Sequence, residues 1–147
     1  MNNIRTFLSL LAFALAQNLA SAHCQVPCGV YSDQLRFEQM LEYQTTIEKA
    51  TNLINELSGK KDAQSMNQLV RWINTKESHA TNTQKIIAEY FMIQRIKSSS
   101  KNYEELLKGA HAVMVAAMKC KQSVDPENTK VLKAHILAFH KSYEGKK

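Results

Sequence analysis

The chain has 147 residues, which is the size of one domain and is enough to bury one modest hydrophobic core. It contains only 4 Gly and 2 Pro, a composition typical of helical proteins rather than of β-sandwiches or barrels. The formal net charge is +6, but Lys and Arg are interspersed with Glu, and the sequence has no basic-aromatic motif for nucleic acid. We therefore predict an all-α protein with no nucleic-acid partner.

The first 22 residues have the pattern of a secretory signal peptide. Arg5 precedes the apolar run TFLSLLAFALA, and the segment ends in Ala20-Ser21-Ala22, with small residues at the positions that signal peptidase reads. This run is too short to be a transmembrane helix, and no later segment is apolar enough to span a bilayer. We expect residues 1–22 to be removed and the chain from His23 onward to be exported, to the periplasm or out of the cell, with no membrane anchor.

Removal of this segment takes away one positive charge, that of Arg5. The remaining 18 basic and 13 acidic residues give the mature chain a formal charge of +5. Most of this charge is expected to be a solvated surface, but a mild positive field also favours the approach of small anions.

After residue 31 the sequence predicts four helices with short connections. The first spans about Asp33–Leu57, before Ser58-Gly59, and the second spans about Asp62–Lys97, before the segment SSSKN. Helices of these lengths joined by short loops most naturally form an antiparallel up-down four-helix bundle, here over residues 32–147.

The starts of the third and fourth helices are predicted from capping residues. Asn102 followed by Glu105 has the spacing of a capping pair for the third helix. Asp125 followed by Pro126 predicts an N-cap with proline at the first position of the fourth helix.

Apolar residues at helical spacing predict which side of each helix is buried. On the second helix these residues are Met66, Leu69, Val70, Ile73, Ala80, Ile87, Tyr90 and Phe91. Four methionines at helical apolar positions are predicted to fill the core: Met66, Met92, Met114 and Met118. His135 and His140 are five residues apart, too far off one helical face to form a pair, and are predicted to be surface residues.

The predicted bundle contains no nucleophile with a base, no phosphate-binding loop and no Glu-x-x-His pair. The candidate metal site is instead HCQVPCGVY, residues 23–31. Cleavage after Ala22 would give His23 a free α-amine beside its imidazole. Cys24 offers its amide nitrogen and its thiolate, and Cys28 offers a second thiolate.

These donors would form a planar set. The amine and the Cys24 amide nitrogen close one five-membered chelate ring on a metal, and the same nitrogen and the Cys24 sulfur close another. Cys28 needs only a tight turn to reach the fourth position, and Pro27 and Gly29 favour such a turn. Square-planar nitrogen-sulfur coordination suits Ni(II) or Cu(II) better than zinc. Copper(II) tends to oxidise two cysteines, which favours nickel.

Two other interpretations fit part of this pattern. An exported protein could bind nickel or copper through the same donors without turnover. Alternatively, Cys24 and Cys28 could form a small disulfide loop at the end of an inert bundle. Cys120 is the third of three cysteines and is predicted to take no part in either arrangement.

The segment HCQVPCGVY resembles the metal-binding hook of the nickel-containing superoxide dismutase family, whose mature chains begin H-C-x-x-P-C-G-V-Y. All seven fixed positions match, and the resemblance extends over the mature chain, because the family fold is a four-helix bundle. It implies disproportionation of superoxide to dioxygen and hydrogen peroxide by a Ni(III)/Ni(II) cycle. It also implies one nickel ion per subunit and a homohexamer in which neighbouring subunits help to enclose each hook.

The resemblance implies a role for each matching residue. His23 would bind nickel through its amine and, in the oxidised state, through its imidazole. Cys24 would bind through its amide nitrogen and sulfur, and Cys28 through its sulfur. Tyr31 would guard the open axial face, where superoxide approaches, and Glu38 would orient the axial imidazole.

The chain departs from the family pattern at two positions. Gln25 stands where many members have Asp, which alters the local charge but not the ligands. The Arg that some members place behind the imidazole corresponds, by counting from TKESHA, to His79, which we expect to replace it.

Overall fold

The computed structural model describes residues 30–145, and these form four helices connected by short loops. We number them α1 (Asp33–Leu57), α2 (Ala63–Lys85), α3 (Tyr103–Gln122) and α4 (Glu127–Glu144). A π-helix, Ile86–Arg95, continues α2 directly. No strand occurs in this part of the chain, so the predicted all-α class is confirmed. The predicted signal peptide, residues 1–22, lies outside the described residues.

The helices pack as a four-helix bundle. The most extensive interfaces are between α1 and α2 and between α3 and α4, the two sequential pairs. Contacts of α2 with α3 and of α1 with α4 close the bundle. Among the helices of residues 30–145, none is both long and apolar enough to cross a membrane.

Two of the helix starts are stabilised by aspartate side chains. Asp62 accepts a hydrogen bond from the backbone N–H of Ser65 at 2.9 Å and so caps α2. Asp125 accepts one from the N–H of Glu127 at 3.0 Å, so the predicted aspartate does bind the start of α4, although Pro126 holds the N-cap position and the helix begins at Glu127. Both bonds satisfy backbone donors that have no partner within the helix.

The predicted capping pair of α3 is wrong. Asn102 precedes α3 but makes no side-chain cap, and its amide group donates to the carbonyl of Ser142 at 3.0 Å instead. The carboxylate of Glu105 accepts a hydrogen bond from the hydroxyl of Ser142 at 2.6 Å. Both side chains therefore join the start of α3 to the last turn of α4, a tertiary contact that local spacing does not reveal.

Aromatic rings form the centre of the core. Phe91 lies 4.7 Å from Phe37, 5.1 Å from Phe139 and 5.3 Å from Tyr143, measured between ring centroids. These rings come from α1, the π-helix and α4, and all are buried. Aliphatic side chains extend this core along the bundle, among them Met40, Ile47, Ile87, Leu106, Val113, Leu132 and Ile136.

The first turns of α2 extend past the end of α3. The ammonium group of Lys76 donates to the carbonyls of Cys120 and Lys121, at 2.6 and 2.8 Å, and to the carboxylate of Glu77 at 3.0 Å. These bonds satisfy a buried charge and also the last carbonyls of α3. Residues of α2 that precede Lys76 therefore lie at or beyond the end of α3.

This geometry explains why part of the predicted core is exposed. Met66, Val70 and Ile73 are 47, 54 and 39 % exposed, so their predicted burial is wrong. We call these three residues the α2 apolar face. Met92 and Met118 are also exposed, and of the four methionines predicted to fill the core only Met114 packs against it.

Truncation of the central ring tests the described packing. We expect Phe91→Ala to lower the free energy of unfolding by about 3–5 kcal/mol, because the cavity left between three aromatic rings cannot collapse fully. Leu137→Ala, at an exposed position of α4, is the control and should change it by less than about 0.5 kcal/mol. Urea unfolding followed by circular dichroism measures both, and equal effects would contradict the described core.

Candidate functional site

The predicted metal ligands lie just before the described part of the chain. His23, Cys24 and Cys28 fall outside the described residues, and the chain can be followed from Val30, which is exposed. Within residues 30–145, no group of three or more His, Cys, Asp or Glu side chains could hold a metal ion. The described residues that adjoin the predicted ligands in the sequence are those around Tyr31, at the start of α1.

Tyr31 is the first predicted site residue in the described region. Its ring is 38 % exposed and meets the ring of Tyr90 edge-on, with centroids 6.5 Å apart. The guanidinium carbon of Arg36 lies 4.8 Å from the centre of the Tyr31 ring, within the range of a cation–π interaction. The phenol is thus supported by two neighbours while part of it stays open to solvent.

A cavity of about 260 Å³, which we call the Tyr31 cavity, opens beside this ring. It lies between α1, α2 and the π-helix, and its lining is mostly polar or charged: Tyr31, Arg36, Gln39, Tyr43, Asn82, Lys85, Ile86, Glu89 and Tyr90. The lining residues of α1 recur at positions 36, 39 and 43, which is the spacing of one helical face.

Two buried polar atoms beside this cavity have no partner among the described residues. They are Oε1 of Gln39 and Nε of Arg36. Leaving such atoms unpaired inside a protein costs about 1–3 kcal/mol each. The cavity therefore has room and unused hydrogen-bonding capacity for polar groups that approach it.

His79 is connected to the Tyr31 cavity through Tyr43. The amide nitrogen of Gln39 donates to the Tyr43 hydroxyl at 2.7 Å, and the Tyr43 ring meets the His79 ring edge-on at 5.2 Å. Nδ1 of His79 lies 2.8 Å from the carbonyl of Thr75. Because a carbonyl only accepts, we assign the imidazole proton to Nδ1, which leaves Nε2 as the acceptor of the neutral ring.

Glu38 is exposed and accepts a hydrogen bond from the side chain of Gln34 at 2.8 Å. It does not belong to the lining of the Tyr31 cavity, whereas its neighbour Gln39 does. Sequence reasoning missed Gln39, Arg36 and Tyr43, although their spacing of three and four residues on α1 was a usable signal.

A polar cluster near Tyr31 connects the start of α1 with the π-helix and with α4. The carboxylate of Asp33 accepts hydrogen bonds from Tyr90 at 2.6 Å and from Tyr143 at 3.0 Å, and it pairs with Nε of Arg95 at 2.9 Å. A terminal nitrogen of Arg95 also donates to the Tyr90 hydroxyl at 2.9 Å. We call Asp33, Tyr90, Arg95 and Tyr143 the Asp33 cluster.

The two phenols and the guanidinium of this cluster have raised pKa values. Burial, followed by the hydrogen bond to Asp33, raises the pKa of Tyr90 and raises that of Tyr143 well above its usual range. The hydrogen bond to Tyr90 raises the pKa of Arg95 further. Both phenols therefore act as hydrogen-bond donors, and the guanidinium keeps its charge, throughout the physiological range.

Cys120 lies away from this end of the chain, in the last turn of α3. It is buried and free, and its thiol donates to the carbonyl of Asn128 at 3.3 Å. Burial raises the pKa of this thiol to about 11. Cys120 is thus an unreactive core residue.

These features are those of a helical-bundle protein with a polar cavity beside Tyr31, close to the start of the described chain. A family model described as nickel-containing superoxide dismutase matches residues 18–147, and the chain belongs to this family. It is therefore an oxidoreductase with nickel as cofactor and superoxide as substrate. No curated protein and no solved structure matches the chain. The match confirms the predicted family and reaction, and nothing favours a binding protein without turnover.

The burial of Cys120 predicts slow alkylation. At pH 8, a pKa of about 11 leaves only about one thiol in a thousand as the reactive thiolate. We expect iodoacetamide at pH 8 to leave Cys120 unmodified in the folded protein and to modify it quantitatively in 6 M urea, as measured by peptide mass spectrometry. Rapid modification under native conditions would contradict the described packing of α3 on α4.

Proposed function

We propose that residues 23–31 form the nickel-binding hook of this enzyme. His23 would supply its α-amine and imidazole, Cys24 its amide nitrogen and thiolate, and Cys28 its thiolate. The carrying observation is that the family match begins upstream of His23 and so includes the whole segment HCQVPCGVY. The chemistry of this donor set fits nickel, because nitrogen and thiolate donors closed into fused chelate rings favour a planar geometry.

Nickel, when bound, supplies a one-electron couple between Ni(II) and Ni(III) that interconverts superoxide with dioxygen and with hydrogen peroxide. The thiolates of Cys24 and Cys28 and the nitrogens of His23 donate the electron density that such a couple requires. The formal charge of +5 on the mature chain favours the arrival of anionic substrate.

Tyr31 is proposed to stand at the open face of the hook. Tyr31 is 38 % exposed, so water can reach this residue, and its hydroxyl is proposed to hold a water molecule or to pass a proton to the reduced product. Arg36 faces its ring at 4.8 Å, which places a fixed positive charge beside the path of an anion.

Glu38 and His79 are proposed to support the axial imidazole of His23. For His79, the chain of contacts through Tyr43 and Gln39 to the Tyr31 cavity supports this role. Glu38 lies in the second turn of α1, seven residues after Tyr31, but it is exposed, and its support is the family resemblance alone.

Removal of residues 1–22 by signal peptidase is proposed to create the amine ligand, since the new N-terminus would be His23. The same step implies export of the protein, to the periplasm or out of the cell. The pattern of a basic start, an apolar run and Ala20-Ser21-Ala22 supports this proposal.

A homohexamer is proposed from the family resemblance. The α2 apolar face provides a surface for such an assembly, because Met66, Val70 and Ile73 are exposed on one side of the part of α2 that precedes Lys76. Contact with a second copy of the chain would remove this apolar area from water.

Substitution of the proposed thiolate ligands tests the hook directly. We expect Cys24→Ser and Cys28→Ser each to lose bound nickel and to reduce superoxide dismutation to the background rate, because a hydroxyl is a poor ligand for nickel at neutral pH. Cys120→Ser is the matched control and should keep both, since Cys120 is buried in α3 far along the chain from the hook. Pulse radiolysis and metal analysis measure the two properties, and full activity in either ligand variant would refute the assignment.

A charge on the α2 apolar face tests the proposed assembly. We expect Val70→Glu to shift the protein from hexamers to smaller species in sedimentation velocity, because an unpaired carboxylate in an apolar interface is costly to desolvate. Leu137→Glu, at a similarly exposed apolar position of α4, should leave the assembly intact. Unchanged sedimentation of Val70→Glu would exclude this face from the interface.

A further inference from the structure

The carbonyl of Tyr31 is held by side chains from a distant part of the sequence. The hydroxyl of Tyr90 lies 3.0 Å from this oxygen, and a terminal nitrogen of Arg95 lies 3.4 Å from it. A phenol has only one proton, and the shorter contact of Tyr90, 2.6 Å, is to the carboxylate of Asp33. The hydroxyl proton of Tyr90 is therefore shared between the Asp33 carboxylate and the Tyr31 carbonyl. The guanidinium of Arg95 is a second donor near the Tyr31 carbonyl.

The π-helix makes this arrangement possible. In an α-helix, residues five apart point about 140° away from each other. In the π-helix the hydrogen bonds run from residue i to i+5, as from the N–H of Ile96 to the carbonyl of Phe91 at 2.8 Å, which brings residues five apart close to one face. Tyr90 and Arg95 are five apart, and their side chains meet at 2.9 Å.

The end of α4 completes the arrangement. Tyr143, in the last turn of α4, donates to the second carboxylate oxygen of Asp33 at 3.0 Å. Both oxygens of Asp33 are thus occupied, one by Tyr90 and Arg95 and the other by Tyr143. The carboxylate is fixed from two sides by elements far from it in sequence.

We propose that the Asp33 cluster is a positioning device for the metal-binding segment. It fixes the backbone at residues 31–33, and with it the ring of Tyr31 and the point and direction in which the chain leaves the bundle toward residues 23–28. This inference rests on the proposed hook, and it assigns to Asp33, Tyr90, Arg95 and Tyr143 a role in the geometry of the site rather than in its chemistry.

A role in stability alone does not explain the cluster well. The Asp33–Arg95 pair is partly exposed, with side chains 29 and 28 % accessible, and such pairs contribute little to folding. The aromatic core beneath it, around Phe91, does not need the hydroxyl groups. Moreover, π-helical turns are rare and occur frequently at functional sites.

The first test uses the metal-free protein, so that it does not depend on the hook. The backbone N–H of Arg36 donates to the carbonyl of Ser32 at 3.3 Å, the first hydrogen bond of α1. We expect Tyr90→Phe to raise the hydrogen-exchange rate of this amide roughly tenfold, as the loss of a hydrogen bond to a charged group permits fraying. Tyr103→Phe, which removes a phenol from the start of α3, is the matched control and should leave this rate unchanged.

The second test uses the nickel-loaded protein and measures the rate of metal transfer to a chelator together with KM and kcat. We expect Tyr90→Phe and Asp33→Asn to release nickel several-fold faster and to lower kcat with little change in thermal midpoint, while Tyr103→Phe behaves as the unmodified chain. Unchanged exchange at Arg36 together with unchanged nickel release would overturn the positioning role. Retention of nickel by Cys24→Ser would instead refute the assignment of residues 23–31 as the nickel-binding hook. The hydrogen-exchange result at Arg36 would not be affected by that outcome.

Discussion

The carboxylate of Asp33 is the interaction on which the described end of the molecule depends. It begins α1, and it is bound by Tyr90 and Arg95 of the π-helix and by Tyr143 of α4. Three elements that are distant in sequence therefore meet at one side chain, two residues after Tyr31. Because charge-assisted hydrogen bonds are short and directional, this junction defines where the N-terminal segment joins the bundle.

The proposed nickel ligands and the described bundle have different roles in the molecule. The donors that suit nickel lie in residues 23–28, whereas the bundle supplies a stable aromatic core, a fixed exit point and a polar cavity beside Tyr31. Gln39 and Arg36 have unused polar atoms beside that cavity, so the bundle is able to bind polar groups where the segment leaves it. If residues 23–28 hold the nickel ion as proposed, these parts of the bundle are the described surroundings that can support its ligands.

Much of the fold follows from local sequence, and the rest depends on tertiary contacts. The predicted bounds of the first helix, Asp33–Leu57, are those observed, and Asp125 binds the start of α4, where a capping residue was predicted. The π-helix has no comparable local signal, because it is stabilised by the contacts of Tyr90 and Arg95 with Asp33, which is distant in sequence. The exposure of Val70 likewise depends on where α3 ends. At the site, the motif indicated the metal and the family, and the spacing of Arg36, Gln39 and Tyr43 indicated one face of α1, but local sequence does not show that α2 packs beside this face to form a cavity.

The central claim is that the functional N-terminus is His23 and that this terminus binds nickel. The most direct measurement is the intact mass of the protein purified from a host that exports it, recorded under native conditions together with its metal content. We expect a chain that begins at His23 and carries one nickel ion. A chain that begins at another residue, or one that begins at His23 with a disulfide between Cys24 and Cys28 and no nickel, would contradict it.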